Sequence, residues 1–376
     1  MRVLMLGRLK LLEGSGGDRI QILNTAKELR NLGIEVDVKD SFKFDPTDYD
    51  LVHIFQLDWT PECNIYSRTV KKAGKPIVFS PIHHNISELK RFDDEYAFDF
   101  RRISKILFRN QYHRDTFKDF YRMLFDWSRV RPVMRSILNG LKSMHIETLR
   151  NADIILVQTA LEAADLKDNF GVDIKWEIVP NGVGENFLKN NGYNNPFDFS
   201  DYLICVGRIE PRKNQLKIIK AVKRLRNEGG VSPDLVLIGK KNWLKHLEYT
   251  SYFDVELKRN KWIKHIESVP YEKIPSYYHY SKVGVSASWF ETTGLTSLEA
   301  LYCGANAVAS GKRAMEYLGK LASYCDPGDD ESIYQAIKNE YHSPRPAVGN
   351  EMKNLYTWKN AAEKTLNVYR RLLNHD

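Results

Sequence analysis

The 376-residue sequence lacks any apolar run near the roughly 20 residues that a membrane-spanning helix needs. Its four cysteines stand far apart, with no CxxC pair and no neighbouring histidine cluster, which argues against a structural zinc site or a disulfide framework. The N-terminal segment MRVLMLGRLKLL is broken by Arg8 and Lys10 and predicts a first strand, not a signal peptide. We therefore expect a cytoplasmic protein that is soluble or lies on a membrane surface.

The complete dinucleotide-binding fingerprint is also missing. The loop GSGG at 14–17 follows the first predicted strand, but Arg19 occupies the position of the third glycine of GxGxxG. This absence disfavours an oxidoreductase that uses a dinucleotide.

Short apolar runs alternate with amphipathic stretches along the chain, a pattern typical of parallel strands joined by helices. The first series of predicted strands covers residues 2–7, 34–38, 49–55, 76–80 and 153–159. After an Asn-, Gly- and Pro-rich linker at 191–201, a second series covers residues 202–207, 234–239, 263–269, 282–288 and 306–310. The pattern predicts two Rossmann-like α/β domains in tandem with a cleft between them, and such sheets bind ligands beyond the carboxyl ends of their strands.

A basic segment interrupts the first series. Residues 101–142 hold eleven Lys and Arg against three Asp, an excess equal to the net charge of +8 of the whole chain. Aromatic residues are interleaved with these bases. Three interpretations fit this composition: a packed helical insertion with a solvated basic face, a surface that binds an anionic membrane, or a surface that binds nucleic acid.

The segment VGRIEPRKN at 206–214 follows a predicted strand and precedes a helix. Arg208 and Lys213 would therefore emerge at the carboxyl end of the strand. Two cations there suit a diphosphate, because a guanidinium can bind phosphate oxygens bidentately. The alternative is that both are ordinary surface residues of a loop.

The segment ETTGLTSLE at 291–299 sets Glu291 before a helix predicted to begin near Gly294, and Glu299 in its second turn. The first backbone amides of such a helix form an anion site. Carboxylates bind hydroxyl groups well, so the two acids would reach a sugar and a ribose at the two ends of one extended ligand. In the alternative, Glu291 only complements the helix dipole and Glu299 is a surface residue.

These motifs together resemble the E-x7-E and Arg/Lys motifs of retaining glycosyltransferases with the GT-B fold, family 4, the glycosyl transferases group 1. Further segments are similar to that family: GSGG (14–17), the hinge-like VPNGV (179–183) and the terminal WKNAAEKTLNVYRRLL (358–373). The resemblance implies two Rossmann-like domains that face each other across a cleft, with a C-terminal helix that crosses back to the N-terminal domain. It places an acceptor domain at 1–185 with the helical insertion at about 85–150, a nucleotide-sugar domain at 186–357, and the returning helix at 358–376.

By this resemblance Glu299 would bind the ribose hydroxyls, Arg208 and Lys213 the diphosphate, and Glu291 the transferred sugar. Backbone amides of the helix start would support the sugar or phosphate; these belong to Gly294, Leu295 and Thr296.

The resemblance assigns further residues at the same site. Gly16 and Gly17 would let the first loop approach the diphosphate. A histidine after the fourth strand would lie near the donor sugar, and both His83 and His84 stand close to that position. Adjacent side chains on a short extended turn point apart, so we expect only one of them to enter the site. Val269 lies where the family's base-binding turn would be, with Pro270 in place of the usual glycine.

The resemblance also implies an enzyme that transfers a sugar from a nucleoside diphosphate donor, with UDP or GDP preferred. The acceptor would be a glycan, a lipid-linked glycan or a protein, in cell-surface glycan or glycoconjugate synthesis. No metal and no cofactor would be needed, because cations and the helix dipole can neutralise the leaving diphosphate. No nucleic acid partner is expected. The alternative function is a non-catalytic GT-B scaffold that binds nucleotide for a partner enzyme.

Overall fold

The computed structural model describes residues 1–13, 16–95, 107–108, 111–123, 130–188, 192–228, 230–242 and 246–373, except the side chains of 118, 119, 121 and 122. Contacts divide the chain into two compact units. The first unit comprises residues 1–85, 104–182 and 356–376, and the second comprises residues 86–103 and 183–355.

The described elements follow one another as strands and helices in alternation. The strands are β1 (Arg2–Leu6), β2 (Glu35–Lys39), β3 (Leu51–Phe55), β4 (Ile77–Ser80), β5 (Ile154–Val157), β6 (Trp176–Ile178), β7 (Tyr202–Val206), β8 (Leu235–Ile238), β9 (Ile263–Ile266), β10 (Ser281–Val285), β11 (Asn306–Ser310) and β12 (Ala322–Cys325). The helices are α1 (Gly17–Asn31), α2 (Thr60–Lys72), α3 (Ile86–Glu95), α4 (Gln111–Met123), α5 (Val130–Asn139), α6 (Leu141–Asn151), α7 (Ala160–Phe170), α8 (Gln215–Glu228), α9 (Leu247–Arg259), α10 (Ile274–Tyr280), α11 (Leu295–Tyr302), α12 (Lys312–Leu318), α13 (Asp330–His342), α14 (Asn350–Leu355) and α15 (Trp358–Leu373).

The first unit is built on a six-stranded parallel sheet in the order β2-β1-β3-β4-β5-β6. Every residue of β3 and β4 is buried, as expected of strands covered by helices on both faces. The five strands predicted here are confirmed to within a few residues. The sixth, β6, was not predicted, because it has only three residues and two of them are exposed.

The C-terminal helix α15 belongs to this first unit, and the expected return of the chain is confirmed. The hydroxyl of Tyr369 on α15 lies 2.6 Å from Nδ1 of the buried His53 on β3. Burial lowers the pKa of His53 to about 3, so the ring is neutral in this contact. Where the returning chain arrives, a Cβ on Gly182 would lie 2.1 Å from the amide nitrogen of Trp358, so this crossing requires glycine.

The second unit has its own six-stranded sheet, in the order β12-β11-β10-β7-β8-β9, again wholly parallel. Read from β9, this is the doubly wound Rossmann order. The predicted strands are confirmed, and β12 is additional. The sequence assigned the insertion at about 85–150 to the first domain, whereas contacts group the helix at its start, α3, with the second unit. The other predicted boundaries stay predictions.

Only part of the basic segment is described. Arg101, Arg102, Lys105, Arg109 and Arg129 lie outside the described residues. Helices α4, α5 and α6 cover most of the remainder, so the helical character predicted for this segment is confirmed where it is described. Within the described residues, no helix has both the length and the apolar character that a membrane crossing requires.

Candidate active site

The order of the second sheet shows where its ligand site should lie. β7 and β10 are neighbours in the sheet although β8 and β9 come between them along the chain. In doubly wound sheets, ligands bind beyond the carboxyl ends of the two strands at such a switch point. The loops after these strands contain residues 207–214 and 286–294, so the basic motif and the acidic motif lie at the same end of one sheet.

The loop after β7 is held in place by backbone contact and by one asparagine. A Cβ on Gly239 would lie 2.0 Å from the carbonyl oxygen of Gly207, so the two backbones touch here. The 3-10 turn Pro211–Lys213 ends at Asn214, which has a φ of 61°. The buried Asn214 side chain donates a 3.1 Å hydrogen bond to the carbonyl of Ala287. This bond fixes the loop after β7 against the loop after β10.

A compact ion cluster links these two loops. Nζ of Lys213 donates to Oε1 of Glu291, and Nη1 of Arg212 lies 3.6 Å from Oε2 of the same carboxylate. Burial alone would raise the pKa of Glu291, but Lys213 and Arg212 outweigh it and lower the pKa to about 2. Glu291 is therefore ionised across the physiological pH range, beside two cations.

Arg208 occupies a different position from Lys213. Its side chain is 52% exposed, and its Nη2 lies 3.5 Å from Oε1 of Glu210. Glu210 also accepts a 3.1 Å hydrogen bond from Nε of Arg212. Burial would raise the pKa of Glu210, yet Arg212, Arg208 and Lys213 lower it below its ordinary value. The two predicted cations thus lie on one loop with different acidic partners, one mostly buried and one open to solvent.

The helix α11 begins where the sequence predicted. Gly294 is its N-cap with a φ of 57°, and Leu295 is its first residue. A Cβ at Gly294 would approach the hydroxyl of Tyr317 to 3.2 Å, and the positive φ itself favours glycine. The amides of Leu295 and Thr296 belong to the first turn, which contains no acidic residue. Backbone amides of a first turn lack helical acceptors and can bind an anion.

The second acid of the motif has a very different environment. Glu299 is only 6% exposed, and its Oε1 accepts a 2.9 Å hydrogen bond from the hydroxyl of Tyr271. Burial raises the pKa of Glu299 to about 7, although Tyr271 and the charge of Lys213 act in the opposite direction. Glu291 is therefore a fixed anion, whereas Glu299 gains or loses its proton near neutrality.

Val269 lies in the segment between β9 and the 3-10 turn Tyr271–Lys273 and is half-buried. This segment leads directly to Tyr271, whose ring packs against Phe187 with centroids 5.2 Å apart. The assignment of Val269 to base binding stays a prediction.

In the first unit, the predicted glycines lie where the loop after β1 enters α1. Gly16 precedes α1 in an extended conformation, and Gly17 is its first residue. A Cβ on Gly16 would lie 2.3 Å from Oδ1 of Asp18, whereas nothing lies within 4 Å of a Cβ at Gly17. Asp18 is buried and accepts a 2.7 Å bond from Nε of Arg8. The Arg8–Asp18 pair thus connects the two ends of this loop.

The two histidines contact one carboxylate. Nδ1 of His83 lies 2.6 Å from Oδ1 of Asp58, and Nδ1 of His84 contacts Oδ2. The expectation that the two side chains point apart is therefore wrong, because Asp58 brings both rings together. They differ in access to solvent: the His83 side chain is 3% exposed and that of His84 is 21% exposed. Burial would raise the pKa of Asp58, but His83 and His84 hold it far below its ordinary range.

Backbone strain occurs beyond the carboxyl ends of β3 and β4, in the segments that lead to Asp58 and to the two histidines. Ile82, directly before His83, has a φ of 45°, and Gln56, two residues before Asp58, has a φ of 73°. A β-branched residue in this conformation is unfavourable and persists only where its surroundings enforce it. The amide of His83 donates a 2.8 Å hydrogen bond to Oε1 of Glu162, which holds the turn in place. Strain of this kind concentrates at functional sites.

The second sheet and its loops are similar to one protein family. Residues 193–357 match the family described as Glycosyl transferases group 1. The match covers most of the second unit. The matched range contains Arg208, Lys213, Glu291 and Glu299, so the ion cluster and the second acid lie within the part of the chain that is similar to this family.

Similarity to a curated protein covers part of the chain. The O-antigen chain mannosyltransferase B of Escherichia coli is 29% identical over 178 residues, which are 46% of this chain and 46% of that protein. The chain thus aligns with about half the length of this relative.

Solved structures resemble the chain over its full length. Sucrose-phosphate synthase from Thermosynechococcus elongatus has a TM-score of 0.70 at 15% identity, with 100% of both chains covered. Anabaena HepE in complex with UDP has a TM-score of 0.64 at 13% identity, with 99% of this chain and 100% of that chain covered. At such low identities the likeness shows the fold alone, and the fold class is GT-B, as predicted.

Four residues of the two sites were not singled out from the sequence. Arg212 and Glu210 lie inside the recognised motif GRIEPRKN, so their positions beside Lys213 were the available signal. Asp58 follows the buried strand β3. Since ligands bind beyond the carboxyl ends of such strands, its charge and position alone could have identified it. Tyr271 could not be identified from the sequence, because its contact with Glu299 depends on a turn that folds back onto α11.

Proposed function

We propose that the protein is a retaining glycosyltransferase that moves a sugar from a nucleoside diphosphate sugar to an acceptor hydroxyl. The proposal depends above all on one observation: Lys213 holds an ionised Glu291 and also acts electrostatically on Glu299, which titrates near neutrality. Lys213 thus acts on one acid that stays ionised and on one that titrates near neutrality. This arrangement suits an extended ligand with hydroxyls at both ends and a diphosphate between them.

Each donor group has a chemically matched partner at this site. Glu299 would accept hydrogen bonds from the ribose hydroxyls. Lys213, the exposed Arg208 and the amides of the first turn of α11 would neutralise the diphosphate. Glu291 would bind hydroxyls of the transferred sugar, since its fixed charge makes it a strong acceptor.

We propose that the acceptor attacks from the side of the leaving group, with a leaving phosphate oxygen as its base. The bond from the anomeric carbon to the phosphate oxygen breaks, the acceptor oxygen takes its place on the same face, and the acceptor proton passes to the departing phosphate. The protein then accelerates transfer by positioning the two substrates and by stabilising the charge on the diphosphate. No metal and no cofactor is part of this proposal.

We assign the histidine pair to the binding of the donor sugar. Asp58 fixes the orientation of both rings through their Nδ1 atoms. Because His84 is the more exposed of the two, we propose that His84 contacts the donor sugar and that the buried His83 orients Asp58.

The nucleotide can be identified by thermal unfolding. We expect one of UDP, GDP, ADP and CMP to raise the thermal midpoint by roughly 5 to 10 °C at a hundred times its dissociation constant, since such saturation stabilises by about 2.7 kcal/mol. UDP and GDP are the first candidates. HepE was solved with UDP, and the E. coli relative is a mannosyltransferase. A flat response to all four nucleotides would oppose nucleotide-sugar transfer and favour a non-catalytic scaffold that keeps the fold.

The acceptor is proposed to belong to a cell-surface glycan presented at the inner face of the cell membrane. The relative that acts on an O-antigen chain supports a glycan acceptor. Helix α5 supports the proposed location at the membrane, because three apolar side chains on its outer face are exposed. Their exposed fractions are 49% for Met134, 51% for Ile137 and 78% for Leu138. Arg131 and Lys142 are exposed close to these residues along the chain. Apolar side chains beside bases are typical of helices that lie in an anionic lipid surface.

Sedimentation with vesicles of phosphatidylglycerol and phosphatidylcholine tests this surface. We expect binding that salt weakens, and a loss of at least about tenfold in Met134→Ser/Leu138→Ser, since each buried apolar side chain contributes about 1.5 kcal/mol or more. Leu355→Ser is the matched control, because Leu355 is an equally apolar, 42% exposed residue on α14 of the second unit. Equal vesicle binding by all three proteins would exclude α5 as the docking surface.

A further inference from the structure

Helix α3 belongs to the second unit by its contacts, although the chain reaches it from the first unit. It begins two residues after His84, and the chain then continues into the basic segment. Its sequence ISELKRFDDE places Leu89 and Phe92 three residues apart, on one face of the helix. The helix therefore has one apolar face, and that face packs on the rest of the second unit.

The apolar face of α3 packs on two aromatic residues. Phe92 is only 2% exposed, and its ring centroid lies 5.9 Å from that of Trp289 and 5.6 Å from that of Phe290. Leu89 packs against the same small cluster. Trp289 and Phe290 are the two residues directly before Glu291, so α3 contacts the loop that carries the ionised acid.

Arg91 attaches α3 to the same loop and to a second one. Its guanidinium lies over the ring of Trp289, 5.6 Å from the centroid, and its Nη1 lies 2.9 Å from Oδ1 of Asp326 at the end of β12. A Cβ on Gly328 would lie 2.3 Å from Nη2 of Arg91, so the Asp326–Gly328 turn fits closely around this side chain. An ion pair and a stacking contact thus reinforce the aromatic packing.

The contacted loop leads directly to the ion cluster. The amide of Trp289 donates a 2.9 Å hydrogen bond to the carbonyl of Arg212. The guanidinium of Arg212 lies over the ring of Phe290, 5.4 Å from its centroid. Any displacement of Trp289 or Phe290 would therefore move both Arg212 and Glu291.

We propose that α3 is a positioning helix for the donor site, in which Phe92 and Arg91 act through Trp289 and Phe290 to hold Glu291 and Arg212. In this proposal neither Phe92 nor Arg91 is assigned a contact with the ligand. The role of α3 in transfer rests on the proposed function, whereas its role in holding the loop is independent of any activity.

Hydrogen exchange tests the positioning directly. In Phe92→Ala we expect the amides of residues 288–294 to exchange at least about tenfold faster, because the loop loses its apolar support, while β7 and β8 keep their protection. Phe92→Leu should restore most of the protection. Lys90→Ala is the matched control, since Lys90 pairs with Asp94 on the exposed side of the same helix. Unchanged exchange at 288–294 in Phe92→Ala, or an equal increase throughout the second unit, would overturn the proposal.

Kinetics then separate positioning from general damage. We expect Phe92→Ala and Arg91→Met to lower kcat for donor turnover about tenfold, with a change in donor KM below about threefold, because the displaced groups serve the reacting sugar more than the nucleotide. A rise in KM with unchanged kcat would overturn this part. If the wild-type protein binds no nucleotide, the proposed function fails, and hydrogen exchange still decides whether α3 holds the loop.

Discussion

Lys213→Met is expected to abolish measurable sugar transfer and the slow hydrolysis of donor without acceptor, a loss of at least about 10² to 10³ in kcat. The substitution removes the mostly buried cation assigned to the diphosphate. It also leaves Glu291 buried with Arg212 as its remaining cation, at 3.6 Å. Removal of one partner from a buried pair destabilises by roughly 3 kcal/mol, which would lower the thermal midpoint by about 10 °C.

A second substitution separates the chemistry from the folding. Lys213→Met/Glu291→Gln removes both charges, so most of the lost stability should return while transfer stays absent. Lys220→Met is the matched control, because Lys220 forms an exposed pair with Asp330 and such pairs contribute at most about 1 kcal/mol. Donor turnover that persists in Lys213→Met would remove Lys213 from the proposed site, and a double variant as unstable as the single one would contradict the pair energetics.

Glu299→Gln is expected to stabilise the protein above neutral pH while it abolishes nucleotide binding. The folded-state pKa of Glu299 is about 7, above its ordinary value of 4.5, so the native state binds more protons between these pH values. Stability from the protonated acid is present at low pH and is lost as the pH rises toward and through 7. At pH 8 the variant should therefore be more stable than the wild type by about 3 kcal/mol, and the difference should shrink toward pH 5.

The same titration predicts how donor affinity depends on pH. The ionised carboxylate is the better acceptor for ribose hydroxyls, so wild-type affinity should rise about tenfold between pH 6 and pH 8. A nucleotide sugar is the suitable probe, because its fully esterified diphosphate keeps a constant charge over this range. Glu340→Gln removes a different partly buried acid, bonded to Ser323, and should keep the wild-type pH dependence of binding. A pH-independent wild-type affinity would exclude Glu299 from the ribose site.

Much of the fold was predictable because buried parallel strands are recorded in the sequence as short apolar runs. β1, β3, β4 and β7 are nearly all apolar and were located to within a residue or two. β6 and β12 are edge strands of three and four residues, and local composition did not distinguish them from loops. The start of α11 was predictable from one glycine and the uncharged turn after it.

The environment of each site residue was much less predictable. The sequence shows Glu291 and Glu299 as two similar acids, yet their pKa values of about 2 and about 7 depend on which neighbours are buried with them. Tyr271 lies 28 residues from Glu299 along the chain, and no local pattern connects them. For α3 the sequence was misleading, because a helix that follows β4 is expected to cover the sheet of β4.

The attachment of α3 also limits how such a chain can be recombined. A graft of residues 183–355 onto another first unit would leave α3 behind, and with it the cover of Trp289 and Phe290. The two large aromatic rings directly before Glu291 would then face water. The hybrid would be prone to aggregate even if every residue of the E-x7-E motif were intact. The unit of exchange in this protein is therefore a discontinuous one, and an inherited or engineered domain replacement has to carry a ten-residue helix from elsewhere in the gene.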